Sequence, residues 1–152
     1  MKKTIIVVSL IIAMALLVAG CSEKPQLNLP EKKITVFKSP TCGCCDIYSK
    51  YMKNQGFEVE VTNTYDMDPI KSKYSIPPQL TSCHTTIVGD YFVEGHVPFE
   101  AVVKLLTEKP DIAGIGMPGM PSGSPGMQGA KQGQFVISAV GKDGSISEFM
   151  RI

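Results

Sequence analysis

Tryptophan is absent from the chain, aromatics make up 7% of it, and neither sign of charge prevails: 15 Lys and Arg face 14 Asp and Glu. No Lys/Arg-rich stripe is present to offset a phosphate backbone, which leaves a nucleic-acid role without electrostatic support. The apolar run from Ile5 to Ala19 is broken by Ser9, and its uninterrupted core falls short of the ~20 residues that span a bilayer comfortably. What remains is a chain of 152 residues, 43% hydrophobic, with five cysteines, a composition that fits one modest globular domain with attached segments. Three of the cysteines crowd into Cys42-Gly43-Cys44-Cys45.

The basic start Met1-Lys2-Lys3, the apolar run and the small residues that follow read as an export signal over residues 1–20, with an uncleaved anchor as the alternative. Val18-Ala19-Gly20-Cys21 resembles the bacterial lipobox. The resemblance implies cleavage before Cys21 and a diacylglyceryl group on its sulfur, which removes Cys21 from metal and redox chemistry. An ordinary signal peptide that happens to end on a cysteine is the competing reading. Ser22 differs from the aspartate associated with inner-membrane retention, so the expectation is a periplasm-facing lipoprotein of the cell envelope, on the outer membrane where there are two. Once the leader is gone, the 15 basic residues less Lys2 and Lys3 face 14 acidic ones, a net charge of about −1.

Residues 21–33 contain Pro25 and Pro30 without a helical or strand period and suit a tether. The domain is expected over 34–152, as a core at 34–109, a Met/Gly/Pro-rich loop at 110–134 and a closing hairpin at 135–152. Ile34-Thr35-Val36-Phe37 reads as a strand buried on both faces. After the cysteines, Ile47, Tyr48, Tyr51 and Met52 recur at helical spacing up to Gly56, and Phe57, Val59 and Val61 then alternate as in a half-buried strand. Asp68-Pro69 opens a short helix that Pro77-Pro78 ends. Gly89-Asp90 joins two β-branched and aromatic runs into a hairpin, and Pro98 leads into a helix with Phe99, Val102, Val103 and Leu106 on one face. From Pro110 to Gly133 the chain reads as mostly irregular. The order βαβαββα, with Cys-x-x-Cys at the first strand-to-helix junction, predicts an α/β fold with a thioredoxin-like mixed four-stranded sheet, flanking helices and an added C-terminal β-hairpin.

Cysteines at a helix N-terminus meet unpaired N–H groups and the positive end of the macrodipole, which favour thiolates. In this layout the loop before the third strand faces that helix start, and here it carries Ser82-Cys83-His84-Thr85. Four thiols, Cys42, Cys44, Cys45 and Cys83, are therefore expected to converge. Adjacent Cys44 and Cys45 leave the backbone in different directions, a conflict that sulfurs bridging several ions relieve. Soft thiolates suit Cu(I) and zinc, and the thioethers of Met117, Met120 and Met127 favour Cu(I), so copper is the leading metal and zinc the lesser one.

These motifs, together with Val93-Glu94-Gly95-His96-Val97-Pro98 and the run from Pro118 to Met127, give the chain a specific resemblance over roughly residues 33 to 150. It resembles the CopG-type periplasmic metal-binding proteins, a thioredoxin-like family associated with copper resistance. The resemblance implies a thiolate-bridged copper cluster on Cys42, Cys44, Cys45 and Cys83, and copper tolerance by sequestration or redox handling, alongside other envelope copper-handling proteins. Two other readings stay open. One is a thiol-disulfide oxidoreductase with Cys42 as nucleophile and Cys45 as resolving thiol, and a disulfide between them is a resting state expected in an oxidising envelope. The other is a structural zinc site on Cys42, Cys45, Cys83 and His84. His84 is read as ligand or hydrogen-bonding partner; neighbours on a strand point to opposite faces, so one of Cys83 and His84 is expected to face away. His96 is read as a loop histidine bonded to backbone beside the ligands, with metal ligation as the alternative, Glu94 as a solvated or locally bonded side chain, and the methionines as packing or as copper ligands.

Overall fold

The computed structural model describes residues 29–152. The leader at 1–20 and Cys21 lie outside the described residues, as does most of the tether. Among the described residues seven strands form one mixed sheet in the order β2-β1-β3-β4-β5-β6-β7. They are β1 (Lys33–Lys38), β2 (Glu58–Asn63), β3 (His84–Val88), β4 (Tyr91–Gly95), β5 (Gly114–Met117), β6 (Val136–Val140) and β7 (Ile146–Arg151). Among the described residues three α-helices accompany them: α1 (Gly43–Asn54), α2 (Asp68–Lys73) and α3 (Phe99–Glu108). The expected mixed α/β architecture is present, and the expected hairpin is part of the same sheet.

What joins the hairpin to the rest is β5, inside the stretch expected to be irregular. It pairs parallel to β4 and antiparallel to β6, and all four of its residues are buried. Two glycines give this strand little β propensity of its own; burial between two neighbours supplies what propensity does not. On β1, Ile34 and Val36 are buried while Thr35 and Phe37 are half-covered, so one face is sealed and the other only partly. That corrects the expectation of burial on both faces.

Helix α1 presents Cys45, Tyr48, Ser49 and Met52 inward, whereas Ile47 is 54% exposed. The buried face is thus shifted from the predicted one, with Cys45 and Ser49 inside it and Ile47 outside. Helix α3 buries Ala101, Val102, Leu105 and Leu106, and ends on Lys109 in the left-handed region, just before Pro110. Ile34, Val36, Tyr48, Met52, Val93, Leu105, Ile115 and Ile137 belong to one apolar cluster, so strands from both halves of the chain share a core. No helix among the described residues is long and apolar enough to cross a membrane.

Candidate metal centre

The centre is assembled where β1 hands over to α1. Cys42 occupies the N-cap position of α1, and Cys44 and Cys45 fall in its first turn. Cys42 and Cys45 are joined by a disulfide with a Cα–Cα distance of 5.4 Å, the resting state anticipated for an oxidising compartment. Cys44 and Cys83 are free thiols, both half-buried. Cys44 Sγ lies 3.5 Å from Cys42 Sγ, and Cys83 Sγ lies 3.5 Å from Cys45 Sγ. Because a disulfide sulfur carries no proton, any hydrogen bonding in these pairs is donated by Cys44 and Cys83.

All four sulfurs lie within 4.8 Å of one another. At a metal–sulfur bond of about 2.3 Å, two ligands at a tetrahedral angle stand about 3.8 Å apart. The sulfur spacing therefore matches soft-metal coordination, with small side-chain adjustments, once the Cys42–Cys45 bond is reduced. Two electrons and two protons convert that bond into two thiols, and each thiol gives up its proton on binding metal.

A second group, Cys83, His84 and His96, shares Cys83 with the first. His96 lies beyond the end of β4; its Nδ1 is 2.7 Å from the Pro125 carbonyl and its Nε2 is 3.2 Å from Cys83 Sγ. A carbonyl accepts only, so Nδ1 carries the proton and Nε2 turns its lone pair toward the Cys83 sulfur. His84 Nδ1 lies 3.5 Å from the same sulfur. Cys83 and His84 thus share one side, contrary to the alternation argument: β3 begins at His84, so Cys83 is still in the loop and the strand pleat does not govern it. His84 is fully buried against Tyr48, with ring centroids 4.4 Å apart, and its Nε2 has no hydrogen-bond partner among the described residues.

Burial shapes the electrostatics. The Cys83 thiol is pushed up to about 11, first by desolvation and then by neighbouring Cys44, so it is protonated at neutral pH in the metal-free protein. His84 is held down at about 3, chiefly by burial, with His96 and Lys71 opposing its charge. Burial lowers His96 as well. Both imidazoles are therefore neutral and available as nitrogen donors. On the outer side, the buried Lys38 ammonium pairs with Asp46 of the first turn of α1 at 2.9 Å.

Two arrangements support the Cys83 side. Glu94, read from sequence as solvated or locally bonded, is fully buried and accepts from Ser82 N, Thr85 Oγ1 and Lys71 Nζ. Burial raises its carboxyl above the ordinary range, and these three donors work against that rise. Nothing in the sequence flagged the pair except a lone acidic residue within an otherwise apolar strand. The second arrangement is the loop after β5. Ser124 is buried and donates to Pro121 O at 2.7 Å, and the backbone of Gly126 rests on α1 beside His96.

The three candidate methionines separate. Met117 lies on β5 in the apolar core, and Met120 is 42% exposed at the surface. Met127 lines a cleft of about 510 Å³ together with Gly43, Cys44, Ile47, Gly126 and Gln128, which puts it beside a free thiol.

Residues 80–127 match a family described as a protein of unknown function, DUF411. This span holds Cys83, Glu94 and both histidines but not the three crowded cysteines. No curated protein sequence matches the chain. Two solved structures, forms 1 and 2 of a copper resistance protein CopG, match at 36% identity with a TM-score of 0.74 each. Form 2 covers 79% of this chain and 97% of its own, and form 1 covers 80% and 98%.

Proposed function

The chain belongs to the CopG family of copper resistance proteins, and from that premise we propose that it holds Cu(I) in a thiolate-bridged cluster of more than one ion. Cys42, Cys44, Cys45 and Cys83 are the ligands, and His96 Nε2 is a nitrogen donor at the Cys83 edge. The observation that carries this reading is four sulfurs mutually within 4.8 Å at a helix start, one more than a Cys-x-x-Cys pair and its facing cysteine require. Thiolates are the preferred ligands of Cu(I), and sharing sulfurs between ions accommodates the adjacent Cys44 and Cys45. Met127 lines the same cleft as Cys44, which supports a role for its thioether in passing Cu(I) inward. The strand order β2-β1-β3-β4 with the cysteines at the start of α1 supports a thioredoxin-like core.

Copper loading requires the reduced form, because the disulfide removes two of the four ligands. Anaerobic Cu(I) titration with metal analysis is expected to give more than one copper per reduced chain and a smaller capacity in the oxidised chain. An unchanged stoichiometry in Cys44→Ser would refute the cluster.

The disulfide itself favours a second reading, thiol-disulfide exchange through Cys42 and Cys45. It predicts turnover in an insulin-reduction assay that survives loss of Cys44, whereas the copper reading predicts none. A structural zinc site would instead retain zinc against excess Cu(I) and lose its fold on zinc removal.

The anchoring proposal rests on Val18-Ala19-Gly20-Cys21 alone. It places the protein on the periplasmic side of the envelope by a lipid on Cys21. Mass spectrometry of the mature N-terminal peptide tests it, and an unmodified Cys21 thiol would reject it.

A further inference from the structure

We propose that Glu94 and Lys71 form a positioning pair that fixes Cys83 in the copper site, a proposal that rests on the copper reading above. Cys83 is the one cysteine of the centre not carried by the α1 turn. It sits between a 3-10 turn (Pro78–Leu80) and β3, in a loop without a strand ladder of its own, so its sulfur must be aimed by side chains.

The aiming contacts converge on the residues flanking it. Glu94 Oε1 accepts from the Ser82 backbone N–H at 2.6 Å and from Lys71 Nζ. Its Oε2 accepts from Thr85 Oγ1 at 2.6 Å. Lys71 Nζ also donates to Ser82 O at 2.9 Å. The donor and the acceptor of Ser82 are thus both engaged, and the Ser82 carbonyl belongs to the peptide bond that leads into Cys83. On the far side, Thr85 is tied to the same carboxylate.

Glu94 and His96 lie two residues apart on the same stretch of chain. The acid that holds the loop and the imidazole that faces its sulfur are therefore set by one backbone. A buried ion pair is a poor source of net stability, since desolvation offsets its attraction. Three donors from α2, the loop and β3 converging on one carboxylate serve instead to fix geometry. Copper affinity then depends on residues that never touch the metal, as outer partners of metal ligands commonly arrange.

The test uses the reduced, metal-free protein and its variants Glu94→Gln, Lys71→Met and Lys71→Arg. Iodoacetamide alkylation of Cys83 is followed by peptide mass spectrometry with Cys44 as the internal reference. Cu(I) affinity is measured by competition with a chromophoric chelator, and folding is checked by circular dichroism. In Glu94→Gln and Lys71→Met, Cys83 is expected to react about tenfold faster relative to Cys44 and copper affinity to fall about tenfold, with Lys71→Arg close to the unaltered chain. Should Glu94→Gln fail to fold, Lys71→Met, at the partly exposed end of the pair, carries the same readout. A lowered melting temperature with an unchanged Cys83 to Cys44 ratio and unchanged affinity would make the pair merely structural and overturn the proposal. If the reactivity contrast appears while no form binds copper, the positioning role stands and the copper reading fails.

Discussion

His96 presents Nε2 to the Cys83 sulfur at 3.2 Å while its Nδ1 bonds the Pro125 carbonyl at 2.7 Å. One side chain thereby links the cysteine loop to the Gly/Pro-rich loop, and the second bond dictates what the first can do. With Nδ1 protonated, Nε2 can only accept a proton from the Cys83 thiol or donate its lone pair to a metal. Replacing His96 by leucine removes both functions. Cu(I) affinity, measured by chelator competition, is expected to fall by about 10- to 100-fold with the four cysteines intact. An affinity indistinguishable from that of the unaltered chain would reduce His96 to a loop anchor.

The neutral, buried His84 makes the fold sensitive to acid. Its imidazole holds near 3 in the folded chain against an ordinary value of 6.5, because burial first, and His96 and Lys71 next, disfavour the charged ring. Between those values the unfolded chain binds the extra proton, so stability falls as pH drops below about 6.5 and continues to fall toward 3. The slope is roughly 1.4 kcal/mol per pH unit at most. Denaturant unfolding of the metal-free protein at pH 7 and pH 5 is expected to cost the unaltered chain about 2 kcal/mol more than His84→Gln. Equal losses in the two proteins would show that His84 is protonated in the folded state.

Much of this site was legible because its local signals agree. β-branched and aromatic runs, Gly89-Asp90 and the Pro98 start each punctuate the chain at the right place, and the cysteines sit at the one junction where such a layout gathers a site. The illegible parts depend on partners distant in sequence. Glu94 looks like a polar residue on a strand, and only the fold brings it Lys71 from 23 residues earlier. In β5 the run Gly114-Ile115-Gly116-Met117 argues against a strand by propensity, yet Gly114 is required there because any Cβ would collide with Phe92. Helical spacing alone allows Ile47 to face inward, but the buried face of α1 runs through Cys45, Tyr48, Ser49 and Met52, with Cys45 turned toward Cys83, and Ile47 falls outside it.

Because β5 and β6 complete the same sheet and core as β1, the C-terminal strands are expected to unfold with the rest. Ile137 is fully buried in the common cluster, and Ile137→Ala should cost about 2–5 kcal/mol of the stability of the whole domain. Chemical unfolding followed by circular dichroism and by tyrosine fluorescence should show one shifted transition. Two separated transitions, with only the later strands affected, would make the hairpin an independent appendage.

Gly126 is where the Gly/Pro-rich loop touches the helix that carries the cysteines. Its φ of +88° is a conformation that side chains rarely adopt, and a Cβ there would lie 2.8 Å from Cys44 O, 3.0 Å from Tyr48 N and 3.1 Å from His96 Nδ1. The first two are helix backbone atoms, which cannot yield without breaking the first turn of α1, so in Gly126→Ala the loop must lift instead. Lifting it withdraws the adjacent Pro125 carbonyl from His96 and uncovers Cys44. Iodoacetamide should then modify Cys44 faster than in the unaltered chain, and a protease should cut within residues 118–134, while unfolding of the sheet changes little. Unaltered reactivity at Cys44 together with an uncut loop would mean that this segment does not cover the cysteines.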